Sequence, residues 1–474
     1  MPHPPASLAA LLKPRSVAVV GASRKPDSIG GAIFQNLLAN GFQGPVYPVN
    51  PRAEFVHSVR AYPSLAAIEG PVDLAILAVP RDLVLAAVED CARKEVRGLV
   101  VITAGFREVG AEGRRLEDAV LAVVRAADMR MIGPNCLGIL NTDPAVQLDA
   151  TFAPTWPRAG RVAFSSQSGA LGLAILDLAR ELGLGISTFA SIGNKADVSG
   201  NDLIEYWETD PNTDLILLYL ESFGNARRFT QLARRVARTK PILAVKSGRT
   251  SSGRRAAQSH TGALAGADLA VDALFRQAGV VRTDTIEELF DTALLLAHQP
   301  LPAGDRVAIL TNAGGPGIMA ADACEGAGLT LPALAPATES ALRSFLAPEA
   351  STRNPVDMIA SARAPAFEQA LRLLLADPNV DAALVIFVPP IGTEAPDVAR
   401  AILAGGAGAS KPVLTCFMGS HGIPEGLRSL RQGHVPSYAF PEAAARALGR
   451  AVGYARWRSQ PESAPPQFAD VDPG

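Results

Sequence analysis

Short hydrophobic runs recur along the whole chain, and each ends in a turn rich in Gly, Ser, Asn or Pro that leads into an Ala- and Leu-rich helical pattern. Four of them are SVAVVGAS from Ser16, GLVVITAG from Gly98, RVAFSSQSG from Arg161 and RVAILTNAGG from Arg306. Runs of Val, Ile and Leu without polar alternation are typical of strands that are buried on both faces. Because these runs alternate with helical segments, we predict right-handed βαβ units, parallel sheets and an α/β fold.

One of these runs returns at a fixed interval. Ser16-Val-Ala-Val, Arg161-Val-Ala-Phe and Arg306-Val-Ala-Ile begin 145 residues apart, twice over, and each opens a strand, a small-residue turn and a helix. For a chain of 474 residues this spacing predicts three domains. Stretches that contain Pro and Gly place the expected boundaries, so that the domains span 1–150, 151–302 and 303–456, with a Pro-rich linker or tail at 457–474.

The overall composition argues against several classes of protein. With 44 basic and 46 acidic residues the formal charge is −2, so we expect no basic face for nucleic acid. The four cysteines form no CxxC pair, which argues against a disulfide framework or a metal site and fits a reducing cytoplasm. No apolar run approaches the ~20 residues that span a bilayer, and the chain does not open with the pattern of a signal peptide. We therefore expect a cytoplasmic protein that binds no metal and no membrane.

The turn after the first run suits an anion. Gly21-Ala22-Ser23 ends a strand and the pair Gly30-Gly31 follows, an arrangement that aims backbone N–H groups at phosphate. The spacing differs from GxGxxG, and the second strand ends in Asn50 instead of the acid that holds a ribose. An NAD-dependent dehydrogenase is therefore disfavoured. Ser23 and Lys25 favour another phosphate-bearing nucleotide, with a purely structural turn as the alternative.

Three later strand ends contribute loops to the same crevice, because ligands bind beyond the carboxyl ends of the strands in an open parallel sheet. The loops are AVPRD from Ala78, TAGFRE from Thr103 and GPNCLG from Gly133. The last loop contains Cys136, for which a buried, small apolar residue is the simplest alternative to a role in binding.

His260 has the most specific surroundings of any candidate residue. It lies in RRAAQSHTGALAG, a loop rich in Gly, Ser and Thr that opens a helix beyond an Arg-rich stretch. A neutral imidazole nitrogen is nucleophilic at pH 7, and nearby cations and N–H groups can hold a phosphoryl group. His260 is therefore a candidate phosphate acceptor, with a capping or surface histidine as the alternative.

Glu221 directly follows the apolar run of DLILLYLES. An acid in this position is costly to bury without a partner, and a histidine that accepts phosphate needs its other ring nitrogen held. We therefore expect Glu221 to be the partner of His260. A solvated carboxylate at the end of a strand is the alternative.

Two Gly-rich turns are candidate phosphate cradles, and they occupy equivalent positions in the second and third repeats. Ser168 and Gly169 open one helix, and Gly314, Gly315 and Gly317 open the other. Helix starts offer unpaired N–H groups and the positive end of the helix dipole. Because Gly-rich turns are common, neither turn is sufficient evidence alone.

Together these loops resemble the CoA-binding domain of succinyl-CoA synthetase alpha subunits and, more closely, the NDP-forming acyl-CoA synthetase family, which includes ADP-forming acetate–CoA ligase. SHTGALAG, with His260, resembles the phosphohistidine segment of that family. The resemblance implies three parallel-sheet domains, a Rossmann-like CoA-binding domain followed by two flavodoxin-like domains. The resemblance implies that CoA is bound by Gly21, Ser23, Lys25, Asn50, Val79, Pro80, Asn135 and Cys136. It also implies that the thiol end of CoA lies near Asn135 and Cys136.

The resemblance also implies a reaction. Phosphate attacks an acyl-CoA to give an acyl phosphate and free CoA. His260 then takes the phosphoryl group and releases the carboxylic acid, while Glu221 steadies the ring, and ADP accepts the group to give ATP. The loops that match family loops near the acyl site contain Asn194 and Lys195, and Asn354, Pro355 and Asp357.

The nucleotide-binding module of this chemistry is not found in the sequence. No GxxxxGK[ST] motif occurs, nothing resembles the family's ATP-grasp domain, and the Pro-rich tail resembles the linker that precedes that domain in fused members. We therefore expect an ADP-forming acid–CoA ligase of the alpha-subunit type, in an oligomer with an ATP-grasp partner that supplies ATP or ADP and Mg²⁺. The alternative is a CoA- or acyl-CoA-sensing regulatory module without turnover.

Overall fold

The computed structural model describes residues 8–25, 27–253, 255, 268–419 and 423–461. Its contacts divide the chain into two compact units, Met1–His298 and Gln299–Gly474. The division into three domains with boundaries at 150, 302 and 456 stays a prediction.

The first unit begins with a five-stranded parallel sheet. Its strands are β1 (Val17–Val20), β2 (Val46–Val49), β5 (Leu74–Leu77), β6 (Gly98–Val101) and β7 (Arg130–Ile132). A separate two-stranded ribbon consists of β3 (Phe55–Val56) and β4 (Val59–Arg60). The helices are α1 (Ala9–Leu12), α2 (Ile29–Ala39), α3 (Val84–Arg93) and α4 (Ala111–Ala126). The strands lie in the order β2-β1-β5-β6-β7.

The second sheet of the first unit has seven strands. They are β8 (Gly138–Asn141), β9 (Leu148–Thr151), β10 (Ala159–Ser166), β11 (Ile186–Ser191), β12 (Leu215–Leu220), β13 (Ile242–Lys246) and β14 (Val280–Thr283). The helices are α5 (Gly169–Leu182), α6 (Gly200–Thr209), α7 (Ala226–Val236), α8 (Asp268–Ala278) and α9 (Ile286–His298). The order is β14-β13-β12-β10-β11-β8-β9, in which β8 and β9 form an antiparallel hairpin and the other five strands are parallel.

The second unit has one five-stranded parallel sheet. Its strands are β15 (Val307–Thr311), β16 (Val356–Asp357), β17 (Ala382–Phe387), β18 (Val413–Phe417) and β19 (Ser437–Tyr438). Its helices are α10 (Gly314–Gly326), α11 (Pro336–Arg343), α12 (Ala364–Ala376), α13 (Ala395–Gly406), α14 (Ile423–Gln432) and α15 (Pro441–Ser459). The strand order is β16-β15-β17-β18-β19.

All three sheets repeat one topology. Counting only the five parallel strands, each sheet has the order 2-1-3-4-5, which is that of flavodoxin-like folds. The hydrophobic runs form the buried strands that their pattern predicted, because strands covered by helices on both faces exclude water from both sides. The predicted α/β class is confirmed. In this order, ligands bind where the connections from the first and third strands diverge.

The hairpin β8–β9 connects the two sheets of the first unit. It pairs with β11 in the second sheet, while α2 of the first sheet lies against β9. Asn36 Nδ2 of α2 donates to the carbonyls of Thr151 and Ala153, at 2.9 and 2.8 Å, and Asn40 Nδ2 donates to Asp149 Oδ2 at 2.8 Å. The helix that follows the Gly21 turn is thus held by hydrogen bonds to the second sheet.

Across the ranges that the structure describes, no helix combines the length and the apolar character needed to cross a membrane.

Candidate active site

The carboxyl edges of the two sheets in the first unit enclose a cavity of about 500 Å³. Polar residues on its wall include Arg107, Asn135, Gln167, Ser168, Asn194, Lys195, Glu221 and Ser222. Apolar residues on its wall include Ile29, Ile102, Phe152, Ala170 and Leu173. The structure thus brings together seven candidate residues that lie up to 86 positions apart in the sequence, namely Asn135, Cys136, Ser168, Gly169, Asn194, Lys195 and Glu221.

Glu221 lies at the switch point of the second sheet, directly after the third parallel strand, β12. Gln167, directly after the first parallel strand, holds the backbone there. Its Oε1 accepts from the N–H groups of Glu221 and Ser222, at 2.8 and 2.9 Å, and its Nε2 donates to the Ser222 carbonyl at 2.7 Å. These three bonds fix the direction in which the 9 % exposed Glu221 leaves the strand. Nothing in the sequence around Gln167 indicated this role.

Ser168 and Gly169 open α5 on the same wall. Ser168 is the N-cap, and its Oγ accepts from the N–H of Leu171 at 3.3 Å. Ser166 stabilises the turn from below, because its Oγ donates to the Ser168 carbonyl at 2.8 Å and accepts from the Ser168 N–H at 3.2 Å. The positive end of a 14-residue helix therefore faces the cavity in which Glu221 lies.

Lys195 brings a positive charge to this wall from the loop after β11. Its Nζ donates to the Ser222 carbonyl at 2.8 Å and also to Ser222 Oγ. Burial lowers the pKa of Lys195 to about 8, the nearby Glu221 opposes that change, and the positive charges of Arg107 and Lys246 add to it. The amine is therefore partly neutral at slightly alkaline pH.

Lys246 lies at the end of β13, the strand next to β12. It is 5 % exposed, and burial lowers the pKa of Lys246 while the Glu221 carboxylate opposes this. Glu221 is therefore within electrostatic range of the buried Lys246 amine and the half-buried Lys195 amine.

The loop that contains Lys195 is fastened to the first sheet by Asn194. Asn194 Nδ2 donates to Glu108 Oε2 at 2.6 Å and to Glu117 Oε2 at 2.9 Å. Burial opposes ionisation of Glu108, but hydrogen bonds from Asn194 and from the Gly105 and Phe106 N–H groups lower its pKa overall. The fully buried Glu117 also pairs with Arg107. The sequence did not reveal these two carboxylates, because their partner is 77 or more residues away.

Gly193 allows this close approach. Its φ is +51°, and a Cβ there would lie 2.3 Å from the carbonyl oxygens of Pro134 and Asn135. Asn135 Nδ2 in turn reaches Asn194 Oδ1 at 3.4 Å. The GPNCLG loop and the loop with Lys195 therefore pack backbone to backbone beside the cavity.

Cys136 forms part of the cavity wall as a protonated thiol. It is 5 % exposed, and its Sγ donates to the Val101 carbonyl at 3.3 Å. Burial raises the pKa of Cys136 to about 12, so the thiolate needed for nucleophilic chemistry does not form near neutral pH.

The predicted CoA loops lie around the switch point of the first sheet. Gly21 follows β1 with a φ of +93°, and a Cβ there would lie 2.3 Å from the Ala78 carbonyl oxygen, so only glycine fits between the two strand ends. Val79 and Pro80 follow β5 at this point. The backbone cradle and the edge position fit a phosphate-bearing ligand such as CoA.

Ser23, Lys25 and Asn50 shape the mouth of that crevice. Ser23 Oγ accepts from the Lys25 N–H at 3.1 Å, and the Lys25 side chain is exposed. Asn50 Nδ2 donates to the Ala22 carbonyl at 2.7 Å, which fastens the loop after β2 to the loop after β1. Two of the three side chains therefore hold the loops in place, and Lys25 leaves its charge at the surface.

His260 falls outside the described residues. Gly314, Gly315 and Gly317 lie in the second unit, in the first turn of α10, where nothing lies within 4 Å of a Cβ built on Gly315. Within the described ranges, no three His, Cys, Asp or Glu side chains come together in a way that could hold a metal ion.

Comparison with known proteins identifies three family domains along the chain. The CoA binding domain matches residues 15–142, the succinyl-CoA ligase like flavodoxin domain matches 159–296, and the ligase-CoA domain matches 307–460. These matches cover the greater part of the chain.

Relatives and solved structures match over nearly the whole chain. It is 44% identical to the alpha subunit of acetate–CoA ligase [ADP-forming] II of Pyrococcus furiosus, over 94% of this chain and 97% of that one. It is 43% identical to acetate–CoA ligase [ADP-forming] I of Archaeoglobus fulgidus, over 92% of this chain but only 62% of that protein.

A solved dinucleotide forming acetyl-coenzyme A synthetase 1 of Ca. Korarchaeum cryptofilum, in complex with phosphate and ADP, superposes with a TM-score of 0.91. The sequences are 38% identical, and the match covers 95% of this chain and 97% of that one. The predicted resemblance is confirmed: the chain belongs to the NDP-forming acyl-CoA synthetase family and is of the type of the ADP-forming acetate–CoA ligase alpha subunits.

Proposed function

We propose that this chain is the CoA- and phosphate-handling part of an ADP-forming acid–CoA ligase. The reaction interconverts acyl-CoA, phosphate and ADP with a carboxylic acid, CoA and ATP. The observation that supports this most strongly is the shared cavity, where Glu221, the start of α5 and the Asn135–Cys136 loop meet. A buried carboxylate beside a helix N-terminus and an amine is suited to phosphoryl chemistry, which depends on positioning and charge stabilisation.

CoA is proposed to bind along the carboxyl edge of the first sheet. Gly21, Ser23, Lys25 and Asn50 would hold its phosphate-bearing end at the mouth of the crevice, and Val79 and Pro80 would contact its body. Asn135 and Cys136 would then lie near its thiol, at the cavity. This path is supported by the position of these residues at adjoining strand ends of one sheet.

The thioester is proposed to react inside the cavity. Phosphate held at the N-terminus of α5, by Ser168 and Gly169, attacks the acyl carbon, and CoA leaves as its thiol. The helix dipole stabilises the charge of the phosphate and of the tetrahedral intermediate without reorganising during the step. The product is an acyl phosphate on the same wall as Glu221.

His260 is proposed to accept the phosphoryl group from the acyl phosphate, which releases the carboxylic acid. Glu221 accepts a hydrogen bond from the second ring nitrogen and balances the positive charge that develops on the imidazole. The phosphoryl group then passes to ADP. In the second unit, Gly314, Gly315 and Gly317 are proposed as a second phosphate cradle, at the start of α10.

A partner with an ATP-grasp fold is proposed to bind the nucleotide and Mg²⁺, either as a separate subunit of an oligomer or as a further domain. The match covers only 62% of the relative from Archaeoglobus fulgidus, which supports a further module there. A cytoplasmic location is proposed because the four cysteines, all within the described residues, are buried and form no disulfide bond with one another.

The test is phosphorylation of this chain by its ATP-grasp partner with γ-labelled ATP and magnesium. Acid-labile, base-stable label is expected on the wild-type chain and not on His260→Ala. His57→Asn is the matched control, because His57 is an exposed histidine with a φ of +46° that asparagine also adopts. Label that persists in His260→Ala overturns the proposed acceptor. Binding of CoA without label or turnover would instead support the regulatory alternative.

A further inference from the structure

Lys195 is the lysine on the cavity wall. The chain has seven lysines, all within the described residues, and the other six lie off this wall. Lys195 shares the cavity wall with Glu221 and with the first turn of α5, where the acyl phosphate is proposed to form. The cavity is large enough to hold the acyl group and the amine side by side, since a water-sized volume is about 30 Å³ and this one is about 500 Å³.

The chemistry of the two groups is complementary. An acyl phosphate has an electrophilic carbonyl carbon with phosphate as a good leaving group, and an unprotonated amine is a nucleophile. Burial lowers the pKa of Lys195 to about 8, whereas an exposed lysine has an ordinary value near 10.4. At pH 8 the neutral fraction of Lys195 therefore exceeds that of an exposed lysine on the order of a hundredfold.

We propose that Lys195 is a self-acylation site, which takes the acyl group from an acyl phosphate held in the cavity. The Nζ–C bond forms, the bond between the acyl carbon and the phosphate oxygen breaks, and phosphate leaves with the electron pair and the proton of the amine. The product is an uncharged amide at the end of the Lys195 side chain. This inference rests on the proposed function for the source of the acyl phosphate.

The structure also contains a restraint on this reaction. Lys195 Nζ donates to the carbonyl and the hydroxyl of Ser222, and both acceptors favour the protonated, unreactive amine. During turnover the phosphoryl group leaves quickly and the acyl phosphate is short-lived. When no nucleotide accepts the phosphoryl group, the acyl phosphate persists, and acylation removes a positive charge from the wall. Self-acylation thus makes the site sensitive to stalled turnover.

The test uses acetyl phosphate with the full chain at pH 8, without the partner and without CoA. The rate at which each lysine is acetylated is measured by mass spectrometry of peptides. The rate in the folded chain is then divided by the rate of the same lysine in the chain unfolded in urea. Two lysines in the same molecule are internal controls. Lys25 is exposed, and Lys246 is buried with a lowered pKa but does not line the cavity.

After normalisation, Lys195 is expected to react about tenfold faster than Lys25. Its lowered pKa increases its neutral amine about a hundredfold relative to the unfolded chain, and restricted access removes part of that gain. Excess inorganic phosphate is expected to slow Lys195 selectively, since it competes for the start of α5. A normalised rate at Lys195 no higher than at Lys25 overturns the proposal. An equal rate at Lys246 also overturns it, because a lowered pKa and not the cavity would then explain the labelling.

Two variants separate this inference from the proposed function. Ser222→Ala removes one acceptor and is expected to speed acetylation of Lys195 several-fold, and a rate that falls contradicts the restraint. Acetyl phosphate is expected to inactivate the wild-type chain over time. Lys195→Arg keeps the positive charge, and its activity, measured relative to its own starting value, is expected not to fall. The acetylation assay needs no partner. Selective acetylation of Lys195 together with no phosphoryl label on His260 would contradict the proposed function alone. Phosphoryl label on His260 without selective acetylation of Lys195 would contradict this inference alone.

Discussion

The parallel strands of the second sheet, β10–β14, and those of the second unit, β15–β19, are two versions of one structure with different carboxyl edges. In both, a side chain after the first strand holds the end of the third. Gln167 bonds to the N–H groups of Glu221 and Ser222, and Asn312 Oδ1 accepts from the Val388 N–H at 2.9 Å while its Nδ2 donates to the Val388 carbonyl at 2.8 Å. The scaffold of the switch point is thus present twice.

The amino edges of the two sheets are also alike. Arg161 pairs with Asp214 in one sheet, and Arg306 pairs with Asp381 in the other. Lys240 Nζ donates to the Asp210 carbonyl and Lys411 Nζ donates to the Asp377 carbonyl, both at 2.7 Å. These contacts join the start of one strand to a neighbouring element at the amino edge of each sheet, and we assign them to stability.

The carboxyl edges differ where chemistry is proposed. Strand pairing places Tyr219 beside Ser166 and Ile386 beside Thr311, so Glu221 and Val388 occupy the same position two residues further on. By the same register the counterpart of Lys246 is Phe417. One edge thus has a carboxylate and an amine where the other has two apolar side chains. A repeated scaffold keeps its amino edge for folding and varies its carboxyl edge for function.

The largest expected effect comes from removing the carboxylate of Glu221, which distinguishes the carboxyl edge of the second sheet from that of the second unit. Glu221→Gln keeps the shape but removes the charge that balances a phosphorylated imidazole, and we expect acyl-CoA-dependent ATP formation with the partner to fall about 10²–10⁴-fold. Val388→Ala, the matched change in the other sheet, is expected to alter the rate less than about twofold. If Glu221→Gln retained most of its activity, the contrast between the two edges would not be one of catalysis.

The second prediction compares the two side chains that hold the strand ends. Gln167→Ala and Asn312→Ala each leave backbone groups without a partner, and each is expected to lower the unfolding free energy of its own unit by about 1–3 kcal/mol. Gln167→Ala is also expected to lower activity roughly tenfold, since it frees the backbone of Glu221. Asn312→Ala should cost much less activity. Urea unfolding followed by peptide-resolved hydrogen exchange, which reports each unit separately, gives the stabilities, and equal losses of activity would contradict the assignment.

The third prediction concerns the hairpin β8–β9, which the sheet of the second unit lacks within its described residues. Burial raises the pKa of Asp149 in β9 to about 7, against an ordinary value of 3.8. The folded chain keeps a proton that the unfolded chain loses, so this contribution to stability is complete below about pH 4 and is lost as the pH rises through about 7. Asp149→Asn is expected to flatten the pH dependence of the unfolding midpoint of the first unit between pH 4 and 8. An unchanged slope would show that Asp149 does not titrate in this range.

The smallest expected effect concerns the amino edges. The hydrogen bond from Arg161 lowers the pKa of Asp214, and that from Arg306 lowers the pKa of Asp381. Their contribution to stability is present above the ordinary pKa of 3.8 and is lost as the pH falls through the lowered folded value. Asp214→Asn and Asp381→Asn are expected to reduce acid sensitivity by similar, small amounts in equilibrium unfolding, because both pairs are partly exposed. A large effect of only one would mean that the two edges are not equivalent.

Much of the fold was predictable because its causes are local in the sequence. A strand covered on both faces requires an unbroken apolar run, and a helix that follows it at once requires a turn of small residues. For this reason the repeated run at Ser16, Arg161 and Arg306 indicated three parallel sheets. The strand end also singled out Glu221, since an acid after a buried strand must have a partner. The role of His260 as phosphate acceptor stays a prediction, because its loop lies outside the described residues.

The rest depends on contacts between residues that are distant in the chain. Gln167 is one polar residue among several in a turn, and only the fold places it across the end of β12. Asn194 reaches carboxylates 77 and 86 residues away, and the hairpin β8–β9 joins the second sheet although it follows the first. The lowered pKa of Lys195 requires burial that no local pattern encodes. The sequence alone thus determined which strands and turns exist, because periodicity and burial act locally. The tertiary structure decided which of their ends share one cavity and which charges they bury there, because both depend on packing across the chain.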